Sequence, residues 1–157
     1  MHFCNLLKNA TSSMLKLPAA KNIFSEASVY LHYPYCAAIC SYCNFNKYKV
    51  PKEGLGHSRF ESAIITDLKA QLSGCIKDKL VNTTKKTVKS VYFGGGTPSL
   101  ARPELISKVL RTIRDNCHVS DDLEVTLECN PTELELLKLE AFRKSGINRI
   151  SLGVQVC

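Results

Sequence analysis

From residue 28 onward the apolar positions change period several times, and each change marks an element. Ser28-Val29-Tyr30-Leu31-His32-Tyr33 is a short run of β-branched and aromatic residues stopped by Pro34, which predicts a first strand. Phe60, Ile64, Leu68, Leu72 and Ile76 then recur every four residues and predict a helix over about 58–80 with one apolar face. Val88 to Phe93 reads as a second strand, ended by Gly94-Gly95-Gly96. Leu105, Ile106, Val109, Leu110 and Ile113 form the buried stripe of a helix from Pro103 to Asn116. Leu123-Glu124-Val125-Thr126-Leu127-Glu128 alternates as a third strand. Asn130-Pro131-Thr132 opens a helix that runs through Phe142 and stops at Gly146, and Arg149 to Val154 supplies a fourth strand.

Strand and helix thus alternate through three βα units and one further strand, which indicates an α/β fold with parallel strands and right-handed crossovers. No internal repeat accompanies the alternation. A complete barrel of eight such units takes about 250 residues, so 157 residues are expected to form the first half of a larger, partial (β/α) barrel. An open doubly wound sheet is the alternative, and it would end abruptly on a strand with no covering helix.

Composition narrows this picture. The 45% hydrophobic and 22% charged content excludes wholesale disorder and a collagen-like repeat. No apolar run reaches the roughly 18 to 20 residues of a membrane span. The 21 Lys+Arg against 14 Asp+Glu leave a charge of +7, but the densest cluster, Lys85-Lys86-Thr87-Val88-Lys89, is short, so the charge reads as solvated surface and no nucleic-acid partner is expected. Residues 1–25 carry Lys8, Lys16 and Lys21, several hydroxyls and no acid before Glu26, a composition like that of a mitochondrial transit segment although it lacks arginine. The expected organisation is a leader over 1–27 and a domain over 28–157, located in mitochondria, with the cytoplasm as the alternative.

Eight cysteines stand out: Cys4, Cys36, Cys40, Cys43, Cys75, Cys117, Cys129 and Cys157. Disulfides are the first alternative. The leader, however, lacks the continuous hydrophobic core of a secretion signal, and in a reducing compartment clustered cysteines bind metal or do redox chemistry. Cys36, Cys40 and Cys43 form a C-x3-C-x2-C set just after the first strand. Three thiolates that close can reach three corners of one iron–sulfur cubane and leave the fourth iron open. A zinc site completed by Cys129 or His32 stays open as an alternative. Cys75, beside Leu72 and Ile76, reads as a small core hydrophobe, Cys117 as a helix end, His32 as strand-end packing, and His57 and His118 as loop residues.

The cysteine set resembles the cluster motif of radical S-adenosylmethionine (SAM) enzymes, and Tyr30-Leu31-His32-Tyr33-Pro34-Tyr35-Cys36 resembles the HemN/HemW branch. Three further motifs follow in order: Tyr92-Phe93-Gly94-Gly95-Gly96-Thr97-Pro98-Ser99, Glu128-Cys129-Asn130-Pro131, and Gly146 to Gln155. The Gly-rich stretch has neither P-loop nor Rossmann spacing. Coproporphyrinogen dehydrogenases carry another cysteine two places after the third. Here Phe45 stands in that position, which makes the chain look like the HemW-type haem chaperones, and Cys43-Asn44-Phe45-Asn46-Lys47-Tyr48 is similar to their animal mitochondrial members.

The resemblance implies that Cys36, Cys40 and Cys43 ligate a [4Fe-4S] cluster whose open iron holds SAM. In radical members, reduction of that cluster cleaves the sulfonium to a 5′-deoxyadenosyl radical. It further implies that Tyr30, Gly95, Gly96, Thr97, Glu128 and Gln155 contact SAM. The glycines would admit the methionine end, Glu128 would accept from ribose hydroxyls, and Gln155 would both donate and accept. Haem and haem-acceptor proteins are the implied partners. Family members continue past the equivalent of Gln155 into the rest of the barrel, so the chain is expected to be a truncated form. The alternatives are a radical enzyme acting on a tetrapyrrole, and an inactive or zinc-binding fragment.

Overall fold

The computed structural model describes residues 26–54, 56–76 and 87–154. Strand β1 (Glu26–Tyr33) leads through two short strands, β2 (Tyr35–Cys36) and β3 (Tyr48–Lys49), to helix α1 (His57–Ile76). Strand β4 (Thr87–Gly95), a 3-10 turn (Pro98–Leu100) and helix α2 (Pro103–Asn116) follow. Strand β5 (His118–Cys129), helices α3 (Glu133–Leu136) and α4 (Leu139–Ser145), and strand β6 (Arg149–Leu152) complete the described order. The long strands form one parallel sheet in the order β1-β4-β5-β6, with β2 and β3 paired separately. Successive strands are therefore neighbours, and the sheet grows in one direction as a barrel wall does.

The two sheet faces are chemically different because side chains alternate along each strand. Leu31, Tyr33, Val91, Phe93, Val125, Leu127 and Cys129 are buried in one core with Leu68 and Leu72 of α1, the α2 stripe and Phe142 of α4. The opposite face carries Tyr30, Tyr92, Thr126 and Arg149, which lie side by side across the four strands. Helix α2 spans the residues its pattern predicts: Pro103 sits in the first turn, where its missing N–H costs nothing, and Ile106 and Val109 are completely buried. Each such side chain contributes roughly 1.5–3 kcal/mol of transfer free energy. Gly146 ends α4 at φ +113°, donating its N–H to the carbonyls of Arg143 and Phe142.

Four details depart from the pattern. The helix expected from Asn130 to Gly146 is two helices, α3 and α4, because two anchors pull in different directions. The Glu135 carboxylate draws α3 toward the sheet end, Phe142 fixes α4 in the core, and between them Lys138 N–H closes a tight turn onto Glu135 O at 3.0 Å. Strand β5 begins at His118 rather than Leu123 because the register jumps: Val88 faces Val119, but Ser90 faces Glu124. The polar run Ser120-Asp121-Asp122 falls in that irregularity and hides the start of the strand from a periodicity argument. His57 and His118 accordingly open α1 and β5 instead of lying in loops.

The fourth departure is Glu61, 3% exposed on the inner side of α1. Arg102 reaches its Oε1 at 2.6 Å, and Lys108 reaches its Oε2 at 3.0 Å, tying α1 to α2. Burial opposes ionisation, but the two cations outweigh it and hold this carboxyl below the usual carboxylate range. The 1–25 part of the expected leader, the 77–80 end of the first helix, the Cys75 side chain and Gln155 lie outside what is described.

Candidate cofactor site

Every strand of the parallel sheet ends toward the same edge, and the segments that follow β1, β4 and β5 meet there. After β1 the chain leaves the sheet at Pro34 and makes the cysteine loop. The neck of the loop is the β2–β3 pair: Tyr48 N–H donates to Pro34 O at 2.7 Å and Val50 N–H to Cys36 O at 3.0 Å. Within it, Cys43 N–H donates to Cys40 O at 3.2 Å, and His32 Nε2 donates to Asn46 O at 2.7 Å. His32 is thus a strap from β1 onto the loop.

Cys36 is buried, Cys43 half-buried and Cys40 exposed, and all three are free thiols. The Phe45 backbone N–H, opposed by some desolvation and aided by Lys47, holds the Cys43 thiol below its usual value. Cys129 is different: burial first, then the Glu135 carboxylate, push its thiol up to about 11 despite a hydrogen bond with Ser99. Burial and the neighbouring carboxylate thus both disfavour the Cys129 thiolate.

The glycine run closes β4 rather than following it: Gly94 and Gly95 are its last residues, paired with His32 and Tyr33, and Gly96 begins the turn. Gly96 N–H donates to Tyr33 O at 2.7 Å and Thr97 N–H to Tyr35 O at 2.8 Å, so this turn is laced to the chain leaving β1. A Cβ on Gly95, which has φ +114°, would stand 2.6 Å from His32 Nδ1 and 2.9 Å from Tyr33 O. One on Gly96 would stand 2.7 Å from Tyr35 O. The chain's own packing therefore demands glycine at both places. Glu128, near the end of β5, accepts from Tyr92 O–H at 2.8 Å with one oxygen and from Gly95 N–H at 3.1 Å with the other. Each oxygen retains accepting capacity. Tyr30 stacks on Tyr92 with centroids 6.0 Å apart.

Together these segments enclose a cavity of about 490 Å³. Cys36, Cys40, Cys43, Gly95, Gly96, Thr97 and Glu128 all line it. Tyr30 does not: it lies within β1, three places before the strand's end, and reaches the site through Tyr92 and Glu128. A second cavity of similar volume is lined by Leu139, Arg143 and Gly146 to Ile150, with no thiol or carboxylate among its described lining residues.

Residues that sequence reasoning passes over also form the wall. Glu135, buried, accepts from Asn130 N–H at 2.6 Å and from the Ser99 hydroxyl. Its signal was Thr132-x-x-Glu135, a capping-box spacing. Thr132 does cap α3, accepting from Glu135 N–H at 3.4 Å, while the carboxylate turns to Asn130 and Ser99 instead. Ser151 and Lys47 complete the rim.

The donor set suits an iron–sulfur cluster in chemistry: three thiols from one pinned loop, one of them with a lowered value, face one cavity of small-molecule size. As the side chains stand, no three His, Cys, Asp or Glu among the described residues converge on one point for a single metal ion.

Residues 30–157 match the radical SAM superfamily. The chain is 44% identical over 130 residues to the zebrafish (Danio rerio) radical S-adenosyl methionine domain-containing protein 1, mitochondrial, a match covering 83% of this chain and 27% of that protein. It is 31% identical over 142 residues to the Escherichia coli heme chaperone HemW, covering 90% of this chain and 33% of HemW. Among solved structures, the Escherichia coli coproporphyrinogen III oxidase HemN, described as a radical SAM enzyme, superposes with a TM-score of 0.64 at 28% identity, covering 84% of this chain and 29% of HemN. The chain thus spans about a third or less of the length of these relatives. A parallel sheet growing in one direction, a thiol loop after its first strand, and a match over nearly every described residue agree: the chain belongs to the radical SAM superfamily.

Proposed function

We propose that this chain is the cluster- and SAM-binding part of a HemW-type haem chaperone, acting in mitochondria to pass haem to acceptor proteins. The carrying observation is that the cysteine loop, the glycine turn and Glu128, far apart in sequence, line one cavity. Cys36, Cys40 and Cys43 would hold a [4Fe-4S] cluster, which when bound supplies one-electron chemistry and an open iron for SAM. Thr97 would offer a hydroxyl, and Glu128, oriented by Tyr92 and Gly95, would accept from the cofactor's ribose. Gln155 is proposed to add a contact from the end of the segment after β6. The names of the zebrafish and bacterial relatives support the chaperone role and the mitochondrial location.

The test is anaerobic reconstitution followed by iron, sulfide and zinc quantification on the unsubstituted chain and on Cys36→Ser, Cys40→Ser, Cys43→Ser and Cys117→Ser. Near four irons in the parent, lost in the first three variants and kept in the fourth, is the expected result. Zinc in place of iron, or equal loss from Cys117→Ser, would overturn the assignment. The structural likeness to the HemN oxidase favours a second reading, a radical enzyme acting on a tetrapyrrole. A modified porphyrin product in the presence of SAM and reductant would establish it, and Phe45 at the position of that enzyme type's further cysteine argues against it.

A further inference from the structure

The described residues lining the cavity include the carboxylates Glu128 and Glu135 and four thiols, but one cation, Lys47. Its ammonium is not swung into solvent. It folds back onto its own loop, donating to Cys43 O and, at 3.4 Å, to Phe45 O. The loop is held on the other side by His32 at Asn46 O, so the ammonium's place beside the third cysteine is fixed by hydrogen bonds from two directions. Long lysine side chains ordinarily extend into water. One folded back onto a thiol loop, half-buried and hydrogen-bonded beside the third cysteine, places its charge close to where the added electron would reside.

We propose that Lys47 sets the reduction potential of the cluster loop, its ammonium favouring the more electron-rich state of a cluster held by Cys36, Cys40 and Cys43. This rests on the cluster reading above. The step concerned is the addition of one electron, supplied by dithionite through redox mediators, with no bond made or broken. A fixed positive charge stabilises the product of that step more than the reactant, because the product is one unit more negative.

The experiment uses the 157-residue chain reconstituted without oxygen, as the parent and as Lys47→Gln, Lys47→Met and Lys47→Arg. Iron and sulfide per chain are measured first, then the reduced fraction by electron paramagnetic resonance across a mediated potential titration. Gln keeps a donor for the Cys43 carbonyl without the charge, and Arg keeps the charge. We expect full iron in Lys47→Gln, an about tenfold lower ratio of reduced to oxidised cluster at the parent's midpoint (about 59 mV for a one-electron couple), and a ratio near the parent's in Lys47→Arg. An unchanged ratio in Lys47→Gln would overturn the proposal. Loss of iron from Lys47→Gln and Lys47→Met alike would also overturn it, making Lys47 a loop clamp. If the parent holds no cluster, this inference falls together with the cluster reading; if it does and the ratio does not move, this inference alone falls.

Discussion

Replacing Tyr33 by phenylalanine should stabilise the protein, and increasingly so in alkali. Tyr33 is 2% exposed, and its hydroxyl has no hydrogen-bond partner among the described residues. Its ring meets Phe60 and Tyr35 edge-on at centroid distances of 5.5 and 6.1 Å, contacts that phenylalanine would keep. A buried polar group left unsatisfied costs about 1–3 kcal/mol. Removing it opens a gap of only one oxygen atom, so the net gain should be about 1 kcal/mol, or roughly 2–4 °C for a chain of this length. Burial, with smaller contributions from Tyr35 and Glu61, pushes the Tyr33 phenol up to about 12. The folded state therefore holds this proton more tightly than the unfolded chain, whose tyrosines titrate near 10. The associated stability is full below about pH 10 and is lost as pH rises through 12, an effect of order 2 kcal/mol. Urea unfolding of parent and Tyr33→Phe at pH 8 and again at about pH 11 reads both effects, with the advantage of the variant widening at the higher pH. A variant less stable by 1 kcal/mol or more at pH 8 would show that the hydroxyl has a partner and refute the reasoning.

Glu61→Gln should cost about 1–3 kcal/mol at pH 7, since the Arg102 and Lys108 contacts lose their charge assistance. Because the Glu61 carboxyl is held low, its contribution is present above about pH 4.3 and lost as pH falls through the folded value, so stability curves of parent and variant should converge in acid; parallel curves down to pH 2 would contradict this. Gly95→Ala should lower stability by about 2–4 kcal/mol with no ligand present, from the strain of a positive φ and the contact with His32 and Tyr33; a melting temperature within a degree of the parent's would disprove the steric account. Tyr92→Phe should leave the melting temperature within about 2 °C of the parent's but weaken SAM binding to the reconstituted chain several-fold by freeing Glu128 to rotate, and unchanged affinity by calorimetry would remove Tyr92 from the site.

Helix α2 was legible because its information is local: five apolar residues at helical spacing, a proline in the first turn and a polar opposite face. The cysteine set was legible for the same reason, its chemistry lying within eight consecutive positions. The break between α3 and α4 was not, because it depends on where the Glu135 carboxylate finds donors, and one of these, Ser99, is 36 residues away. Lys47 was silent because a lysine in a loop ordinarily means solvent, and only the folded loop turns its ammonium inward. The glycines are the instructive case. Read from sequence, they make room for a cofactor; in the structure, their missing side chains are already required by His32 and by the carbonyls of Tyr33 and Tyr35. A close approach of backbone to backbone and one of backbone to ligand leave the same mark in a sequence. This is why substitutions at Thr97 or Tyr92 interrogate the cavity more cleanly than one at Gly95.

The cavity wall is also spread over time. Ribosomes deliver the chain from its N-terminus, and the cysteine loop with its β2–β3 neck is closed by contacts spanning only 13 residues. Ser151 emerges 108 residues after Cys43, a delay of roughly 5–20 s at typical elongation rates. Until Ser151 is in place the three thiols stand beside a wall that lacks one of its rim residues. Pairing of β6 with β5 is the step that brings Ser151 to the rim, so the protein's donors are made first and the last of its described wall residues long afterwards.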